Sequence, residues 1–214
     1  MDELDKIPSK ESSGVVITKG GGLDVNIFNP EPQTMLIHNC IDEYTAGILI
    51  NLVDKQGEPC KYQGNPYCIE YRMNMDGIGT DLESLAVRRL QKVFLPIQNL
   101  ITQVFKNNAM DFLTGNAGFW IMRYDEGGEF DSHVDWSTDI EKGEVKYSTR
   151  AMATLSIHLN DDYEGGELRI AEKVIDVPKY SGEVHDGWTY HKSSPVTHGS
   201  KYIVLAHFTG VLKD

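Results

Sequence analysis

The sequence lacks the features that mark several classes of protein. No apolar run approaches the roughly 20 residues that a membrane-spanning helix needs, and the acidic start of the chain has no basic segment followed by an apolar one, as a secretory signal would. The cysteines number only three, Cys40, Cys60 and Cys68, and they form no C-x-x-C pair. We therefore predict a cytoplasmic protein with reduced thiols, without a membrane partner, a disulfide framework or a cysteine zinc site.

The chain also lacks a basic stripe. It contains 20 Lys and Arg against 32 Asp and Glu, which gives a formal net charge of −12. A field of this sign repels phosphate backbones, so we expect no nucleic-acid partner. The acidic residues are spread along the chain, which indicates a solubilising surface rather than a specialised acidic site. The sequence leaves the oligomeric state open.

Length and composition indicate one globular domain with an N-terminal tail. The 214 residues are 40% hydrophobic and 24% charged, as in globular domains generally. Residues 1–22 combine charged residues, serines and three consecutive glycines, a composition that cannot bury enough apolar area to order itself, and we predict a flexible tail. Residues 23–214 are predicted to form a single domain.

Two helices are predicted in the first half of the chain. Asp42 is a candidate N-cap, followed by apolar residues at helical spacing and a helix stop at Lys55-Gln-Gly57. Thr80 and Glu83 have the T-x-x-E form of a capping box and precede a long apolar stripe. The stripe consists of Leu90, Val93, Phe94, Ile97, Leu100, Ile101, Val104 and Phe105. Pro96 is expected to kink or split the second helix.

From about residue 116, short runs with two-residue alternation are separated by Gly, Asn and Asp clusters, a pattern typical of consecutive β-strands. The predicted strands are Phe119–Tyr124, Ala151–Leu159, Glu167–Ile170, Gly182–Val184 and Lys201–Phe208, with an earlier one at Cys68–Arg72. Helices followed by strands favour an α+β fold. Helical support, from about residue 40 to 108, should buttress an antiparallel sandwich or barrel from about 116 to 210.

His133-Val-Asp135 places an imidazole and a carboxylate two residues apart. In an extended strand this spacing puts both side chains on one face, within reach of a single ion. A histidine from a distant strand would complete a two-histidine, one-carboxylate set, which leaves iron positions open for substrate and oxygen. His185, His191 and His198 are the candidates for that third ligand. Taken alone, a His-x-Asp pair is more often an ordinary polar pair than a metal site.

The residues around this pair resemble a known family. The motifs, in chain order, are a Tyr-x-x-Gly-x-x-Phe-x-x-His-x-Asp segment ending at Asp135, Arg150 ahead of a Thr-Leu-Ser-Ile-His-Leu-Asn strand, Gly165-Gly166-Glu167, and a block from His191 to Lys201. Over roughly residues 119–208 the chain is similar to the prolyl 4-hydroxylase-like branch of the 2-oxoglutarate- and iron(II)-dependent dioxygenases. This resemblance implies a double-stranded β-helix, or jelly-roll, core of mainly antiparallel strands buttressed by N-terminal helices.

The resemblance also implies the roles of five side chains. His133, Asp135 and His191 would bind iron(II). Lys201 would bind the distal carboxylate of 2-oxoglutarate, for which a compact ammonium charge is well suited, and Tyr124 would add a hydroxyl to that carboxylate. The co-substrates implied are 2-oxoglutarate and oxygen, with ascorbate as a candidate reductant.

His191 is preferred as the third ligand for its position in the resemblance. It lies ten residues before Lys201 and just ahead of Pro195, as the family's distal ligand does, whereas His198 lies in a predicted turn. His185 matches neither position. His158 stands where relatives often have tyrosine, and because a lone strand histidine is usually a satisfied polar residue, we leave it out of the metal set.

Candidate substrate-binding residues are Arg150, Trp136 and His207. Arg150 resembles an arginine that helps hold substrate in the family, with a strand-end salt bridge as the alternative role. Trp136 opens the polar segment 136–149, which we predict to be a loop over the site. Residues two apart in a strand share a face, so His207 is expected to face the same way as Lys201.

The function implied is that of an iron(II)- and 2-oxoglutarate-dependent dioxygenase, which hydroxylates an unactivated carbon while 2-oxoglutarate is decarboxylated to succinate. Branch resemblance favours a prolyl residue in a peptide or protein as substrate, with a free amino acid or another small molecule as the alternative. The net charge argues against a nucleobase substrate, and Asp135 argues against halogenation. A non-catalytic binding module and a cupin-like hydrolase are rivals of other classes, and the presence of Lys201 argues against both.

Overall fold

The computed structural model describes residues 34–60, 65–73, 80–104, 110–141 and 144–212, together with short pieces at 6–7, 15–16 and 24–28. For the short pieces and for residues 102–104, 110–117, 136–141, 144–150 and 210–212, it describes the backbone only. Neither of the helices in these ranges has the length and apolar character needed to cross a membrane.

The described chain contains the helices α1, Glu43–Gln56, and α2, Asp81–Val104. Its strands, in chain order, are β1 (Lys6–Ile7), β2 (Val15–Val16), β3 (Asp24–Phe28), β4 (Thr34–His38), β5 (Glu58–Pro59), β6 (Cys68–Arg72), β7 (Met110–Tyr124), β8 (Phe130–His133), β9 (Trp136–Glu141), β10 (Glu144–His158), β11 (Glu164–Gly165), β12 (Leu168–Ile170), β13 (Lys173–Ile175), β14 (Gly182–Asp186), β15 (His191–Ser193), β16 (Val196–His198) and β17 (Lys201–Leu212). Each predicted strand overlaps one of these, and β7, β10 and β17 extend well beyond the predicted bounds.

The first helix is bounded by the residues that the sequence predicts. The Asp42 side chain accepts a hydrogen bond from the Thr45 backbone N–H at 2.8 Å, as an N-cap does. At the other end, the Gly57 N–H donates to the Val53 carbonyl. A Cβ at Gly57 would lie 2.4 Å from that carbonyl oxygen, so this close approach requires glycine. The prediction for α1 is confirmed.

The second helix starts at the predicted cap and runs through Pro96. The Thr80 hydroxyl accepts from the Glu83 N–H at 3.2 Å. The prediction that Pro96 splits the helix is wrong, because α2 is continuous across it; the kink stays a prediction. Proline removes one backbone hydrogen bond, but the neighbouring Phe94 and Ile97 are buried in the core, and this packing holds both halves of the helix.

Most strands belong to two mainly antiparallel sheets. The major sheet has the order β2-β3-β4-β14-β10-β17-β7-β6-β5, with β9 paired to β10, and the minor sheet has the order β1-β13-β12-β15-β8. The strands β11 and β16 pair with each other. Only the β1–β13 pair is parallel among the described pairings. The expected α+β architecture of mainly antiparallel strands is confirmed.

The two faces of the major sheet have different roles because side chains alternate along each strand. On β17, the residues Val204, Ala206 and Phe208 pack in the core with both helices. Phe94 of α2 stacks on Phe208 with ring centroids 4.1 Å apart. The residues between them face the opposite way and line a cavity between the two sheets, together with residues of β15 and β8. The helices therefore support one face of the sheet and leave the other for the site.

The segment predicted as a loop over the site is instead a hairpin. Residues 136–141 form β9 and pair with β10 in an antiparallel arrangement, with Thr138 opposite Tyr147 and Ile140 opposite Val145. Alternating aromatic and β-branched residues favour strands despite the polar composition of the segment. The loop prediction for residues 136–149 is therefore wrong.

Two short pieces of the predicted tail lie in the sheets. The strand β1 pairs with β13 of the minor sheet, and β2 pairs with β3 of the major sheet. Each piece adds to an existing sheet edge, and the flexible-tail prediction for residues 1–22 stays a prediction. The other residues of the tail lie outside the described chain, and the division into a tail and a single domain stays a prediction.

Candidate metal and co-substrate site

Two of the predicted metal ligands face each other across a pair of strands. His133 on β8 and His191 on β15 are direct partners in the antiparallel register. His133 Nδ1 lies 2.7 Å from the Asp131 carbonyl oxygen, and His191 Nδ1 lies 3.1 Å from the Thr189 carbonyl oxygen. Because a carbonyl only accepts, each Nδ1 carries the hydrogen, and each Nε2 keeps a lone pair for a metal.

Asp135 completes the group. Its Oδ1 lies 3.3 Å from His133 Nε2 and 3.6 Å from His191 Nε2. The ligand atoms of all three residues lie within 4.8 Å of one another, close enough to hold one metal ion. Two imidazoles and one carboxylate are the ligand set of non-haem iron(II) sites with open positions.

The charge states suit a divalent cation. Burial would raise the pKa of Asp135, but the nearby imidazoles of His133 and His185 hold this pKa well below its usual range, so the carboxylate is ionised. Burial lowers the pKa of His191 to about 3, with a further lowering from His185, so the ring is neutral. Ionised carboxylate and neutral imidazole are the forms that bind metals.

The second oxygen of Asp135 is held by a short chain of hydrogen bonds. The Thr154 hydroxyl of β10 donates to Asp135 Oδ2. Thr154 Oγ1 in turn lies 2.9 Å from His207 Nδ1. Since the hydroxyl hydrogen is used on the carboxylate, His207 Nδ1 is the donor of this second bond. The chain fixes which Asp135 oxygen faces the two histidines.

Lys201 lies in the same cavity, and its side chain is buried although it carries a charge. The residue is 1% exposed, and its Nζ donates to the Gly166 carbonyl at 2.6 Å and to Ser193 Oγ at 3.1 Å. Burial lowers the pKa of Lys201 to about 8, against an opposing effect of Glu167. Both partners of Nζ are neutral, so a carboxylate ligand would supply the missing counter-charge.

Gly166 explains part of the Gly-Gly-Glu motif. It adopts a φ of +64°, and a Cβ at this position would lie 3.2 Å from Cδ of Lys201. At Gly165, with a φ of +72°, a Cβ would lie 2.4 Å from the Pro195 carbonyl oxygen. Side chains other than glycine are strained at such φ values. The pair lets the backbone pass close to Lys201 and offer it a carbonyl.

Tyr124 and His158 lie near Lys201. Lys201 Nζ lies 5.9 Å from the centre of the Tyr124 ring, and burial raises the pKa of Tyr124 well above its usual value, so the hydroxyl stays protonated. His158 Nε2 is buried and has no hydrogen-bond partner in the described part of the chain, although the residue lines the cavity. Burial lowers the pKa of His158, and the ring is neutral. His158 is thus a polar group of the site, which the sequence did not indicate.

His185 is a second cavity residue that sequence reasoning missed. It was weighed only as a metal ligand, yet it lies outside the convergent group and contacts Asp135 and Glu183 instead. Burial lowers the pKa of His185, but Glu183 and Asp135 outweigh this and raise it to about 10. No sequence signal distinguishes it, because its place depends on the pairing of β14 with β10. His198 is exposed and pairs with Glu126.

Of the three predicted substrate-binding residues, the structure describes the side chain of His207 but not those of Arg150 and Trp136. His207 faces the cavity with Lys201, as its spacing predicts, and its ring lies 5.3 Å from that of Trp120. Arg150 and Trp136 are register partners in β10 and β9, but their side chains lie outside the described part of the structure. The cavity is about 480 Å³, a size suited to a small ligand. The roles of all three residues stay predictions.

The sequence of this region matches a known family. Residues 119–209 fit the model of the 2OG-Fe(II) oxygenase superfamily. The chain carries a 2OG-Fe(II) oxygenase domain. The match contains Tyr124, the metal-ligand candidates and Lys201. The family uses iron(II), 2-oxoglutarate and oxygen.

Curated relatives of the oxygenase domain are PKHD-type hydroxylases. The chain is 34% identical over 84 residues to such a protein of Pseudomonas aeruginosa (strain LESB58), and the match covers 37% of each chain. It is 34% identical over 83 residues to one of Paraburkholderia phytofirmans, again with 37% of each chain covered. The chain thus spans little more than a third of the length of these relatives.

Solved structures share the fold over most of the chain. A viral collagen prolyl hydroxylase from Paramecium Bursaria Chlorella virus-1, solved with 2-oxoglutarate, has a TM-score of 0.60 at 18% identity, covering 83% of this chain and 96% of its own. A prolyl-4-hydroxylase of Pseudomonas putida has a TM-score of 0.59 at 13% identity, covering 83% of this chain and 92% of its own. A Trichoplax adhaerens prolyl hydroxylase bound to a peptide fragment has a TM-score of 0.61 at 17% identity, covering 82% of this chain and 83% of its own. The fold of the oxygenase domain is the expected jelly roll.

The residues present fit the cofactors of the family. Two neutral imidazoles and one ionised carboxylate converge in one place. In the same cavity, the described hydrogen-bond partners of Lys201 Nζ are both neutral, and His158 Nε2 has no partner among the described residues. A dicarboxylate ligand would satisfy both groups, since carboxylate oxygens accept hydrogen bonds from each. The oxygenase domain therefore has the polar groups that iron(II) and 2-oxoglutarate need.

Proposed function

We propose that this protein is an iron(II)- and 2-oxoglutarate-dependent hydroxylase. The observation that carries the proposal is the presence, in one cavity, of the convergent atoms of His133, Asp135 and His191 together with the buried ammonium of Lys201. A metal site alone would fit many hydrolases. A buried lysine beside that site, whose described hydrogen-bond partners are both neutral, favours a carboxylate co-substrate.

In this proposal each residue has a defined task. His133, Asp135 and His191 hold the iron, and Lys201, with Ser193 beside it, binds the distal carboxylate of 2-oxoglutarate. Bound iron(II) and 2-oxoglutarate would together supply the chemistry that consumes oxygen, converts 2-oxoglutarate to succinate and carbon dioxide, and turns a substrate C–H group into C–OH.

The substrate proposed first is a prolyl residue in a peptide or protein. The support is the likeness to prolyl hydroxylases, one of which was solved with a peptide fragment. The alternative is a free amino acid or another small molecule, which a cavity of about 480 Å³ would also admit. A non-catalytic binding module on the same fold is a third possibility, separated from the others by turnover.

The test is formation of succinate by purified protein supplied with iron(II), 2-oxoglutarate and ascorbate as the proposed reductant. We expect succinate from the wild type and none from Asp135→Ala, with His198→Ala as a control that changes an exposed histidine away from the cavity. Turnover unaltered in Asp135→Ala would contradict the proposal, and a wild type that binds neither iron nor a 2-oxoglutarate analogue at micromolar levels would favour the binding module.

The substrate class requires a separate measurement. Mass spectrometry of a host lysate after incubation with the loaded protein would reveal products heavier by one oxygen atom. Hydroxyproline in peptides would support the first choice, whereas products confined to free metabolites would favour the alternative.

A further inference from the structure

His185 lies behind Asp135 between two acidic side chains. It is buried on β14, with Nδ1 at 3.1 Å from each carboxylate oxygen of Glu183, which is itself fully buried. On the other side of the ring, Nε2 lies 3.7 Å from Asp135 Oδ2. This Nε2 has no hydrogen-bond partner among the described residues. The imidazole therefore connects a buried carboxylate to the metal-ligand candidate Asp135.

The geometry fixes what His185 offers to Asp135. An ionised carboxylate only accepts hydrogen bonds, so a ring nitrogen that faces one must donate. With Glu183 on one side and Asp135 on the other, both nitrogens of His185 are donors, and the two carboxylates offset its charge. A buried donor without an acceptor is costly, so a small closure of the gap to Oδ2 would be favourable.

The two oxygens of Asp135 have different surroundings as a result. Oδ1 faces the Nε2 atoms of His133 and His191, at 3.3 and 3.6 Å. Oδ2 accepts from the Thr154 hydroxyl, and His185 Nε2 and His207 Nδ1 lie 3.7 and 3.8 Å from it. Because His207 Nδ1 donates to Thr154, His185 Nε2 is the second donor available to Oδ2. Donors on Oδ2 leave Oδ1 as the oxygen directed at the metal position. A carboxylate bound through both oxygens would occupy a further position on the metal.

We propose that Glu183 and His185 are positioning residues that hold Asp135 as a one-oxygen metal ligand. The proposal rests on the proposed function, because it requires a metal between His133, Asp135 and His191. It assigns a role to the fully buried Glu183 and to the cavity residue His185, neither of which contributes an atom to the convergent group. By engaging Oδ2, the pair keeps metal positions free for the co-substrates.

If Glu183 and His185 only stabilised the fold, replacing both would leave metal binding unchanged. A double substitution therefore distinguishes a structural role from a positioning role. Replacing both partners of a buried ion pair with apolar residues of similar volume is often neutral or stabilising. The variant Glu183→Leu/His185→Leu should therefore fold, yet it leaves Asp135 Oδ2 without its second donor. Val184→Ala is the matched control, because Val184 lies between them on β14 but packs on the opposite, apolar face of the sheet.

The test is binding of cobalt(II) to the full-length, metal-free protein. Calorimetry measures the affinity, and the visible absorption spectrum of bound cobalt(II) reports its coordination number. We expect the double variant to bind cobalt(II) roughly 10- to 100-fold more weakly than wild type, as is typical of outer-shell substitutions, with an altered spectrum. His185→Gln, whose amide nitrogen can take the place of Nε2, should restore much of the affinity. Val184→Ala should lower stability but leave the spectrum unchanged.

The cobalt(II) measurements distinguish failure of the positioning role from failure of the proposed function. Wild-type affinity and spectrum in the folded double variant would overturn the positioning role while leaving the proposed function intact. If the double variant does not fold, Glu183→Gln/His185→Phe, which keeps more of the volume and also removes the donor to Oδ2, must show the same loss, and wild-type affinity there would overturn the role. Failure of the wild type itself to bind cobalt(II) would overturn the proposed function and this inference together.

Discussion

His133 and His191 occupy directly opposed positions on two antiparallel strands, and each orients its ring in the same way. In both, Nδ1 is paired with the backbone carbonyl oxygen two residues earlier in the chain, at 2.7 and 3.1 Å. The ring centroids lie 4.2 Å apart. The strand register therefore brings the two Nε2 atoms together before any metal arrives, so that little ordering remains to be done on binding.

Substituting either histidine should remove metal binding. We expect His191→Ala or His133→Ala to reduce cobalt(II) affinity by more than the roughly 10- to 100-fold typical of outer-shell residues, because a ligand atom is lost. His185→Gln should cost less than either. Calorimetric titration measures all three, and equal losses in His185→Gln and His191→Ala would show that the ligands have been assigned wrongly.

Substituting Lys201 should affect the co-substrate and not the metal. Lys201→Met removes the only charge proposed to pair with the distal carboxylate, and losing one partner of a buried charge pair costs about 2–5 kcal/mol. We expect 2-oxoglutarate affinity, measured without oxygen, to fall by roughly 30-fold or more. Cobalt(II) affinity should stay within about twofold of wild type. Unchanged 2-oxoglutarate affinity would refute the assignment of Lys201.

The affinity for 2-oxoglutarate should depend on alkaline pH. Burial lowers the pKa of Lys201 to about 8 in the ligand-free protein. Only the ammonium form binds a carboxylate well, so the dissociation constant should be level below pH 8 and rise about tenfold per pH unit above it. Lys201→Arg, whose guanidinium keeps its charge, should remove the rise. A wild-type profile that is level up to pH 9.5 would contradict this account.

The hydroxyl of Thr154 should matter more than that of another buried threonine. Thr154→Val deletes the hydrogen bond to Asp135 Oδ2 while conserving shape, and we expect a roughly 10-fold loss of metal affinity. Thr34→Val is the matched control, because the Thr34 hydroxyl is buried without a hydrogen-bond partner in the described structure. The control should keep its metal affinity and be no less stable than wild type. Equal affinities in the two variants would argue against the Thr154 contact.

The helical support should contribute to stability independently of the site. Phe94 of α2 stacks on Phe208 and makes an edge contact with Phe119 at 6.0 Å. We expect Phe94→Ala to lower the free energy of unfolding by about 3–5 kcal/mol, and Leu95→Ala, at a position 60% exposed, to change it by less than about 0.5 kcal/mol. Denaturant unfolding measures both. The folded fraction of Phe94→Ala should still bind cobalt(II) with wild-type affinity.

Local patterns predicted much of the fold. The helix bounds follow from residues whose effects act within one turn, as with Asp42 and Gly57 at the ends of α1. The direction of His207 follows from its spacing to Lys201. The predicted split at Pro96 and the predicted loop at residues 136–149 are wrong, because packing on the sheet and strand pairing outweighed the local signal. Such tertiary effects are not readable from a window of neighbouring residues.

The site was predictable where the chain places its residues in a short motif. His133 and Asp135 share a strand-like spacing, and the family resemblance supplied His191 and Lys201. Thr154 and His185 were not predictable, because they reach Asp135 only through the pairing of β10 with β14 and the facing of the two sheets. Their types and spacings are ordinary for buried strands, and only the assembled structure shows their contacts.

The central claim is most directly tested by a crystal structure of the protein grown without oxygen in the presence of manganese(II) and 2-oxoglutarate. The account predicts one anomalous peak bonded to Nε2 of His133, Oδ1 of Asp135 and Nε2 of His191, with the distal carboxylate of 2-oxoglutarate on Nζ of Lys201. A metal bonded to His185 or His207, or a co-substrate whose distal carboxylate lies away from Lys201, would contradict it.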